Sequence, residues 1–239
     1  MAELPPPLPP AERTVGQLIA ETIRAYGNAF WRSLPLGLPL ALVDHFSIHR
    51  TAEAQLLVYW AATPLFVGAF LWACHVVHER RPTLAAAIVA TIIYLPFPVL
   101  RATYLLPGIA WFALIGLAVP AAMIEHLDVR SALVRGRRLG VADYAHALGS
   151  LAALVIVVGV AAEVLSVLLH SQDGAQRLAL FTSDVVLGPL LFLGGALLYV
   201  DQAARVGSGR PLRRRRRDAD LHPALDAEPA RRPDPQVEP

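Results

Sequence analysis

The chain has 239 residues, 55% of them hydrophobic, and a formal net charge of only +2. This composition excludes an ordinary soluble domain and predicts a membrane protein with short polar ends. Cys74 is the only cysteine, which excludes an intrachain disulfide and a multi-cysteine metal site.

The first 31 residues contain two segments that precede the long apolar part of the chain. Residues 1–11 are rich in proline, which offers no backbone donor, and are predicted to be disordered. Residues 12–31 place apolar side chains at helical spacing opposite a charged face. This pattern predicts an amphipathic helix that lies in the membrane interface.

Residues 32–202 are predicted to form a membrane domain of six spans, because about 20 apolar residues cross the ~30 Å hydrocarbon layer. Leu106-Pro107-Gly108 predicts the tight reversal between the third and fourth spans. Residues 131–139 predict a basic elbow helix on the inner surface. The fold class is therefore an all-α membrane bundle of six transmembrane helices with interfacial amphipathic helices. The six spans are placed at about 31–48, 55–77, two within 84–124, 145–169 and 178–200.

The arginines are concentrated in every second connection, which tests the number of spans independently. The connections that are poor in arginine hold only Arg50, Arg101 and Arg177. By the positive-inside rule, both termini are cytoplasmic. The sequence therefore predicts a multi-pass protein of the bacterial cytoplasmic membrane. The arginine-rich segments hold Arg13, Arg24 and Arg32, then Arg80 and Arg81, then Arg130, Arg135, Arg137 and Arg138, and finally Arg205, Arg210 and the run 213–217.

The tail, residues 203–239, combines prolines with alternating charges and is predicted to be disordered. Its densest basic run follows the last span, a position that favours contact with anionic lipids at the cytoplasmic face. Binding to nucleic acid is disfavoured, because no folded basic module accompanies the run. The run comprises Arg213, Arg214, Arg215, Arg216 and Arg217.

Four ionisable residues within or beside the spans form a candidate intramembrane polar cluster. Small residues flank Glu163 and Asp184 at helical spacing, which predicts that the fifth and sixth spans pack together on these faces. Two interpretations stay open: a pathway for protons, cations or a polar substrate, or a structural ion pair with carboxylates that reach water. The cluster comprises Asp44, Arg101, Glu163 and Asp184.

A second set of polar residues is predicted at the inner face, namely His75, Glu125, Arg135 and Asp201. Histidines and carboxylates can bind metal ions, but no dense ligand motif is present, so no metal or other cofactor is predicted. Nucleophile, phosphate-loop and dinucleotide motifs do not occur in the sequence. We therefore predict no catalytic residues and a protein that is not an enzyme.

Three segments stand out in the second half of the chain, LLPGIAWFALIGLAVPAAMIEH (105–126), SALVRGRRLGVADYAHALG (131–149) and LLYVDQAAR (197–205). They resemble the glycerophosphoryl diester phosphodiesterase membrane domain family and its stand-alone relatives. Gly136 departs from the family pattern, as does Gln202 with the two alanines after it. The matching residues are Pro107, Gly108, Val119, Pro120, Glu125, Ala132, Leu133, Arg135, Tyr199, Asp201 and Arg205.

The resemblance implies a six-helix membrane domain in which Pro120 bends the fourth helix and Glu125 and Asp201 meet elbow arginines. It does not imply phosphodiesterase activity, because the hydrolase of such proteins is a separate soluble barrel that this sequence lacks.

The predicted function is a non-enzymatic membrane domain or partner subunit linked to envelope lipid handling, with a protein partner or a second copy. The alternative is a small secondary transporter or a proton- or cation-coupled permease. Transport requires a water-accessible route from Asp44, Glu163 and Asp184 to the inner histidines. A binding or scaffold role predicts that the spans pack together without a continuous polar cavity.

Overall fold

The computed structural model describes residues 9–103, 105–169 and 176–208, which are helical and contain no strand. Pro10–Glu12, at the end of the predicted disordered segment, and Leu34–Gly37 form 3-10 turns. The α-helices are α1 (Val15–Asn28), α2 (Phe30–Ser33), α3 (Leu38–Ser47), α4 (Ala52–His78), α5 (Leu84–Tyr94), α6 (Phe97–Thr103), α7 (Leu105–Ile115), α8 (Ala118–Ile124), α9 (Val129–Ala142), α10 (Tyr144–Leu169) and α11 (Gln176–Gly207).

Four helical stretches of the described chain are long and apolar enough to cross a membrane. They belong to α4, to α7 with α8, to α10 and to α11. These stretches identify the chain as a membrane protein, but they are fewer than the six spans predicted. The predicted first and third spans are broken into shorter helices. The four stretches are Ala52–His78, Leu105–Ile124, Tyr144–Leu165 and Arg177–Gly207.

Prolines explain why the predicted span 31–48 is not one helix. Pro35 lies in the 3-10 turn, and Pro39 begins the first turn of α3. Proline lacks an amide donor and clashes with the preceding turn, so each of these prolines disfavours continuation of the α-helix that precedes it. The 10 residues of α3 extend for about 15 Å, which is half the hydrocarbon layer.

Helix α1 runs lengthwise along α11 in the opposite direction. Just before α1, Arg13 binds Asp201, and near its other end the Tyr26 hydroxyl donates to the carbonyl of Val186 at 2.7 Å. These two contacts are about 22 Å apart along α11. The apolar face of α1 therefore covers α10 and α11. The position of this helix in the membrane interface stays a prediction. The buried residues of α1 are Leu18, Thr22 and Tyr26.

The predicted third span is divided into α5 and α6 at Leu95 and Pro96. Next, Phe97 of α6 packs against Phe112 of α7, with ring centroids 5.5 Å apart. A Cβ at Gly108 would lie 3.1 Å from the same Phe97 ring. Helices α6 and α7 therefore pack against each other.

The predicted reversal at Leu106-Pro107-Gly108 is wrong. These residues occupy the first turn of α7, where a proline fits because its missing N–H would have no partner in the helix. Pro120 does interrupt the next helix. Because Pro120 has no backbone N–H, the Gly116 carbonyl accepts from the Val119 N–H instead, at 3.4 Å. Helices α7 and α8 separate at this point.

Tryptophan N–H groups satisfy carbonyls where these short helices end. Trp111 donates to the Ile93 carbonyl at 2.9 Å, and Trp60 donates to the Leu95 carbonyl at 3.1 Å. At the end of α2, the Arg32 carbonyl accepts from Trp72 at 2.9 Å. The last carbonyls of a helix have no partner within it, and water does not supply one inside a bilayer. These bonds make helix breaks tolerable there.

Helix α9 is the elbow predicted at 131–139, and it packs closely on α7 and α8. Asp128 caps its start by accepting from the amides of Arg130 and Ser131, and the hydrogen bonds from Ser131 hold the pKa of this carboxyl below its usual range. A Cβ at Gly136 would fall on the Ala118 backbone. Close contact therefore explains why glycine stands at position 136.

Replacing Gly136 by alanine should lower the thermal midpoint of the detergent-solubilised protein, because the added methyl overpacks this contact at a cost of about 1–3 kcal/mol. Gly149→Ala on α10 is the matched control. A Cβ there meets nothing within 4 Å, so better helix propensity should leave the midpoint unchanged or raised. Equal losses in both variants would contradict the close packing of α9.

Candidate functional site

A cavity of about 330 Å³ lies in the centre of the bundle. Its wall is formed by α3, α4, α7, α10 and α11, with Tyr94 and Phe97 from the broken third segment. Sites for small molecules in proteins usually measure ~300–1,000 Å³, so the cavity is at the small end of that range. Its wall is largely apolar and includes two acidic side chains.

The cavity is elongated along the helices. Its wall extends on α11 from Asp184 to Gly195 and on the antiparallel α10 from Leu151 to Ala162. Both stretches are about 16 Å long at 1.5 Å per residue. A guest of matching shape would be a narrow, extended molecule.

Aromatic rings from five helices form one part of the wall around Tyr94. Its ring centroid lies 4.9 Å from that of Phe112, 5.9 Å from that of Phe66 and 6.1 Å from that of Phe70. The tilted and edge-to-face arrangements are those that aromatic pairs prefer. The rings support one another and hold the shape of this part of the cavity. The aromatic lining residues are Phe66, Phe70, Tyr94, Phe97, Phe112 and Phe192.

Two carboxylates form the opposite part, which we name the acidic end: Asp44 of α3 and Asp184 of α11. A Cβ at Gly188 would lie 3.0 Å from the Cα of Gly37, so α3 begins in close contact with α11. It then runs toward the start of α11, where the His45 and Phe181 rings are 6.2 Å apart. Both half-buried aspartates therefore lie toward that start.

The other two residues of the predicted intramembrane cluster do not join them in the described structure. Glu163 is exposed and is not part of the cavity wall. The side chain of Arg101 lies outside the described part of the chain. The structure therefore brings together two of the four residues, Asp44 and Asp184.

The face of α10 that carries Glu163 points outward, which corrects the predicted packing of the fifth span. Ile156 on the same face is 63% exposed, and Val160 is 60% exposed. Helix α10 does pack on α11, but it uses larger residues, with Leu154 seated over Gly194. The buried residues of α10 include Ala147, Ser150, Leu154 and Val158.

The predicted small-residue face of α11 contacts other helices instead. Gly188 faces Gly37 and Leu40, and Gly195 faces the ring of Phe70. These glycines bring α3 and α4 close to α11. The spacing of small residues located close contacts correctly on α11 but did not identify the partner helix.

Ion pairs gather at the other end of the bundle, which we name the polar end. The Nε atom of Arg135 donates to both carboxylate oxygens of Glu125, at 2.9 and 3.1 Å. The Tyr199 hydroxyl donates to the same carboxylate at 2.6 Å. This group links α8, α9 and α11.

Asp201 and Arg205 connect the first and last described segments at the polar end. Arg13 donates to the fully buried Asp201 at 3.0 Å, and Arg205 donates to Asp143 at 3.0 Å. Arg205 also donates to the Arg13 carbonyl. The resemblance implies that elbow arginines meet both Glu125 and Asp201, whereas Asp201 is bound by Arg13.

The histidines at the end of α4 contact backbone carbonyls. His75 Nδ1 lies 2.9 Å from the carbonyl of Arg80, and His78 Nε2 lies 3.2 Å from that of Ala196. Among the residues described, no group of three or more histidine, cysteine or acidic side chains is placed to hold a metal ion. The predicted lipid contacts at 213–217 lie outside the described residues.

Sequence reasoning missed the aromatic wall and the Arg13–Asp201 and Arg205–Asp143 pairs. Phe66 and Phe70 are four residues apart, which indicates that they share one helix face. Many apolar helix faces contain aromatic residues, so this spacing does not predict a cavity wall. The pairs join residues 188 and 62 positions apart. A single sequence contains no signal for contacts at such separations.

Arg13→Gln should lower stability by about 3 kcal/mol, because it leaves the buried Asp201 carboxylate without a charged donor at 3.0 Å. Unfolding of the purified protein in detergent would measure the loss. Arg24→Gln serves as the control because the Arg24 side chain, which pairs with Glu21, is 55% exposed. The control should change stability by about 0.5 kcal/mol or less. Similar losses in both variants would contradict a stabilising role of the pair.

No protein-family model, curated protein or solved structure matches this chain. The resemblance to the glycerophosphoryl diester phosphodiesterase membrane domain family therefore stays a prediction, and the function is argued from the site alone.

Proposed function

We propose that this protein crosses the bacterial cytoplasmic membrane six times and binds an amphipathic, lipid-like molecule in its central cavity without transforming it. The observation that carries the binding role is the elongated, largely apolar cavity with two carboxylates at one end. Apolar walls with a few placed polar groups are typical of binding sites for small molecules. A role in envelope lipid handling fits such a guest.

Two broken segments supply the crossings that are not single long helices. Residues 13–47 begin beside Asp201 at the polar end and finish beside the start of α11, near Phe181. Residues 84–103 begin after the polar end of α4 and pass Trp60, near the opposite end of that helix. Both segments extend between the ends of the long helices, which supports six crossings with residues 9 and 208 on the same side.

Single-cysteine labelling tests this topology in a Cys74→Ala background, since Cys74 is buried and is the only native cysteine. Arg81→Cys and Ser208→Cys should react with a membrane-impermeant maleimide only after spheroplasts are opened. His49→Cys should react on intact spheroplasts, because one crossing separates it from Arg81. Labelling of His49→Cys and Ser208→Cys from the same side would overturn the proposed arrangement.

Filling the cavity tests the binding role. Val158 lines the cavity and is 6% exposed, whereas its neighbour Val157 is 45% exposed on the outward face. Val158→Phe should reduce retained amphipathic molecules at least ~10-fold, the change that corresponds to 1.4 kcal/mol, because the larger ring occupies their space. Mass spectrometry of molecules co-purified with the protein measures the loss.

Val157→Phe is the matched control and should retain as much as the unsubstituted protein. Equal retention in all three proteins would show that the molecules are ordinary surrounding lipid. It would remove the observation on which the binding role depends.

A transporter is the second candidate, and it is favoured by the presence of Asp44 and Asp184 in one cavity. Ionisable groups within spans often mark transport pathways. Transport also needs a route to the polar end, but no histidine is part of the described wall, which ends at Leu151 and Gly195. Passage of the guest across a protein-containing bilayer, rather than retention in it, distinguishes this candidate.

The proposal includes the basic tail as a contact for anionic lipids. Each arginine near an anionic leaflet contributes about 1 kcal/mol, and Arg213 to Arg217 follow the last helix after a few residues. The tail would hold the inner surface of the protein against such lipids.

A further inference from the structure

We propose that the groove between α3 and α4 binds one anionic phospholipid, with its phosphate at Arg50 and one acyl chain between the two helices. The groove lies on the outside of the bundle, so the inference does not depend on the guest of the central cavity. It rests on the proposed six crossings, which expose this side of the bundle to the bilayer.

The groove has the shape of a site for a hydrocarbon chain. It measures about 420 Å³, and nine apolar side chains line it together with Arg50. Val43 and Ala62 are buried and form its floor, whereas Leu57 and Leu65 are 64% and 48% exposed along its side. The groove is therefore open laterally, and a chain dissolved in the bilayer can enter it without leaving the apolar phase.

The length of the groove matches one leaflet of a bilayer. On α4 the wall extends from Ala54 to Leu65, which corresponds to about 16 Å at 1.5 Å per residue. One leaflet supplies about half of the ~30 Å hydrocarbon layer. Arg50 lies in the connection just before this wall begins. A phospholipid whose phosphate is at Arg50 can therefore place a whole acyl chain in the groove.

Hydrogen bonds hold the connection that carries Arg50. The Arg50 amide donates to the Ser47 carbonyl at 3.1 Å. The side chain of Gln55 donates to the carbonyls of Ser47 and Arg50, at 3.3 and 3.2 Å. Thr51 caps α4 by accepting from the Ala54 amide at 3.4 Å. These bonds fix the backbone of Arg50 at the mouth of the groove, while its side chain stays exposed.

The charge at the mouth favours an anionic head group. Arg50 forms no ion pair in the described part of the chain, and no carboxylate belongs to the described wall of the groove. The acidic residue nearest in sequence, Glu53, precedes Ala54 by one position on α4, which turns it about 100° away from that wall residue. Asp44 belongs to the wall of the central cavity. A guanidinium matches the geometry of a phosphate, so this end of the groove complements a negatively charged phospholipid.

Photo-crosslinking of the full chain in phosphatidylcholine nanodiscs tests the inference. The two probes are phosphatidylglycerol and phosphatidylcholine that carry the same diazirine-labelled acyl chain, each added in a small amount. Mass spectrometry of peptides locates the labelled residues, which separates the groove (42–65) from the basic tail. The phosphatidylglycerol probe should label the groove at least ~5-fold more, as expected for one arginine beside an anionic head group. The exposed Ile156 and Val160 of α10 lie outside the groove and should be labelled equally by both probes.

Arg50→Gln should lower labelling of the groove by phosphatidylglycerol at least ~5-fold, to the level of the phosphatidylcholine probe. Arg177→Gln is the matched control, because Arg177 is an exposed arginine at the start of α11 and does not belong to the groove wall. It should be labelled as the unsubstituted protein is. Ala61→Trp places a large ring in the exposed part of the groove and should lower labelling there by both probes.

Three outcomes would overturn the inference. Equal labelling of the groove by both probes would show that it holds ordinary bilayer lipid. A preference for phosphatidylglycerol that persists in Arg50→Gln would show that Arg50 does not bind the head group. Labelling by neither probe, together with a dimer in mass photometry, would assign the groove to a second copy of the chain.

The comparison between probes uses the unsubstituted protein, so it decides the question even if a variant does not fold. Cysteine labelling at positions 49, 81 and 208 tests the six crossings separately. A failure of the topology is therefore distinguishable from a failure of the lipid site.

Discussion

Close backbone contact between α11 and its neighbours is the constraint on which the arrangement of the bundle depends. Gly188 faces the turn at Gly37, Gly194 receives Leu154, and Gly195 faces Phe70. Without Cβ atoms at these places, three neighbouring segments approach one helix from different directions. Packing of this kind provides association energy in a bilayer, where apolar surface gains nothing by leaving lipid. The central cavity is the space left between these neighbours where the lining side chains do not meet.

The broken helices are compatible with a bilayer because side chains replace the missing backbone donors. Three indole N–H groups bond to carbonyls at the ends of α2 and α5. The protein thereby accommodates short helices without exposing bare carbonyls to hydrocarbon. One result is that Asp44, on the 10-residue α3, can lie beside the interior of the bundle.

Hydropathy was sufficient to predict the long helices α4, α10 and α11, because their apolar runs are uninterrupted. Most of the predicted helix ends lie within a few residues of the observed ones. It could not identify the helices against which α1 packs, since an amphipathic face looks the same whether it covers lipid or protein. Pro107 was misread for a similar reason, because proline suits both a turn and the start of a helix. The outward face of α10 shows that small residues do not by themselves indicate a partner. The cavity could not be predicted, because it depends on which of several apolar faces meet.

The pairing of Arg13 with Asp201 has a consequence for biogenesis. The two partners are 188 positions apart, so synthesis of nearly the whole membrane domain separates the appearance of the first from that of the second. Helix α1 emerges early, yet the helix against which it packs is made last. The contact between Arg13 and Asp201 therefore forms only after α11 has been synthesised.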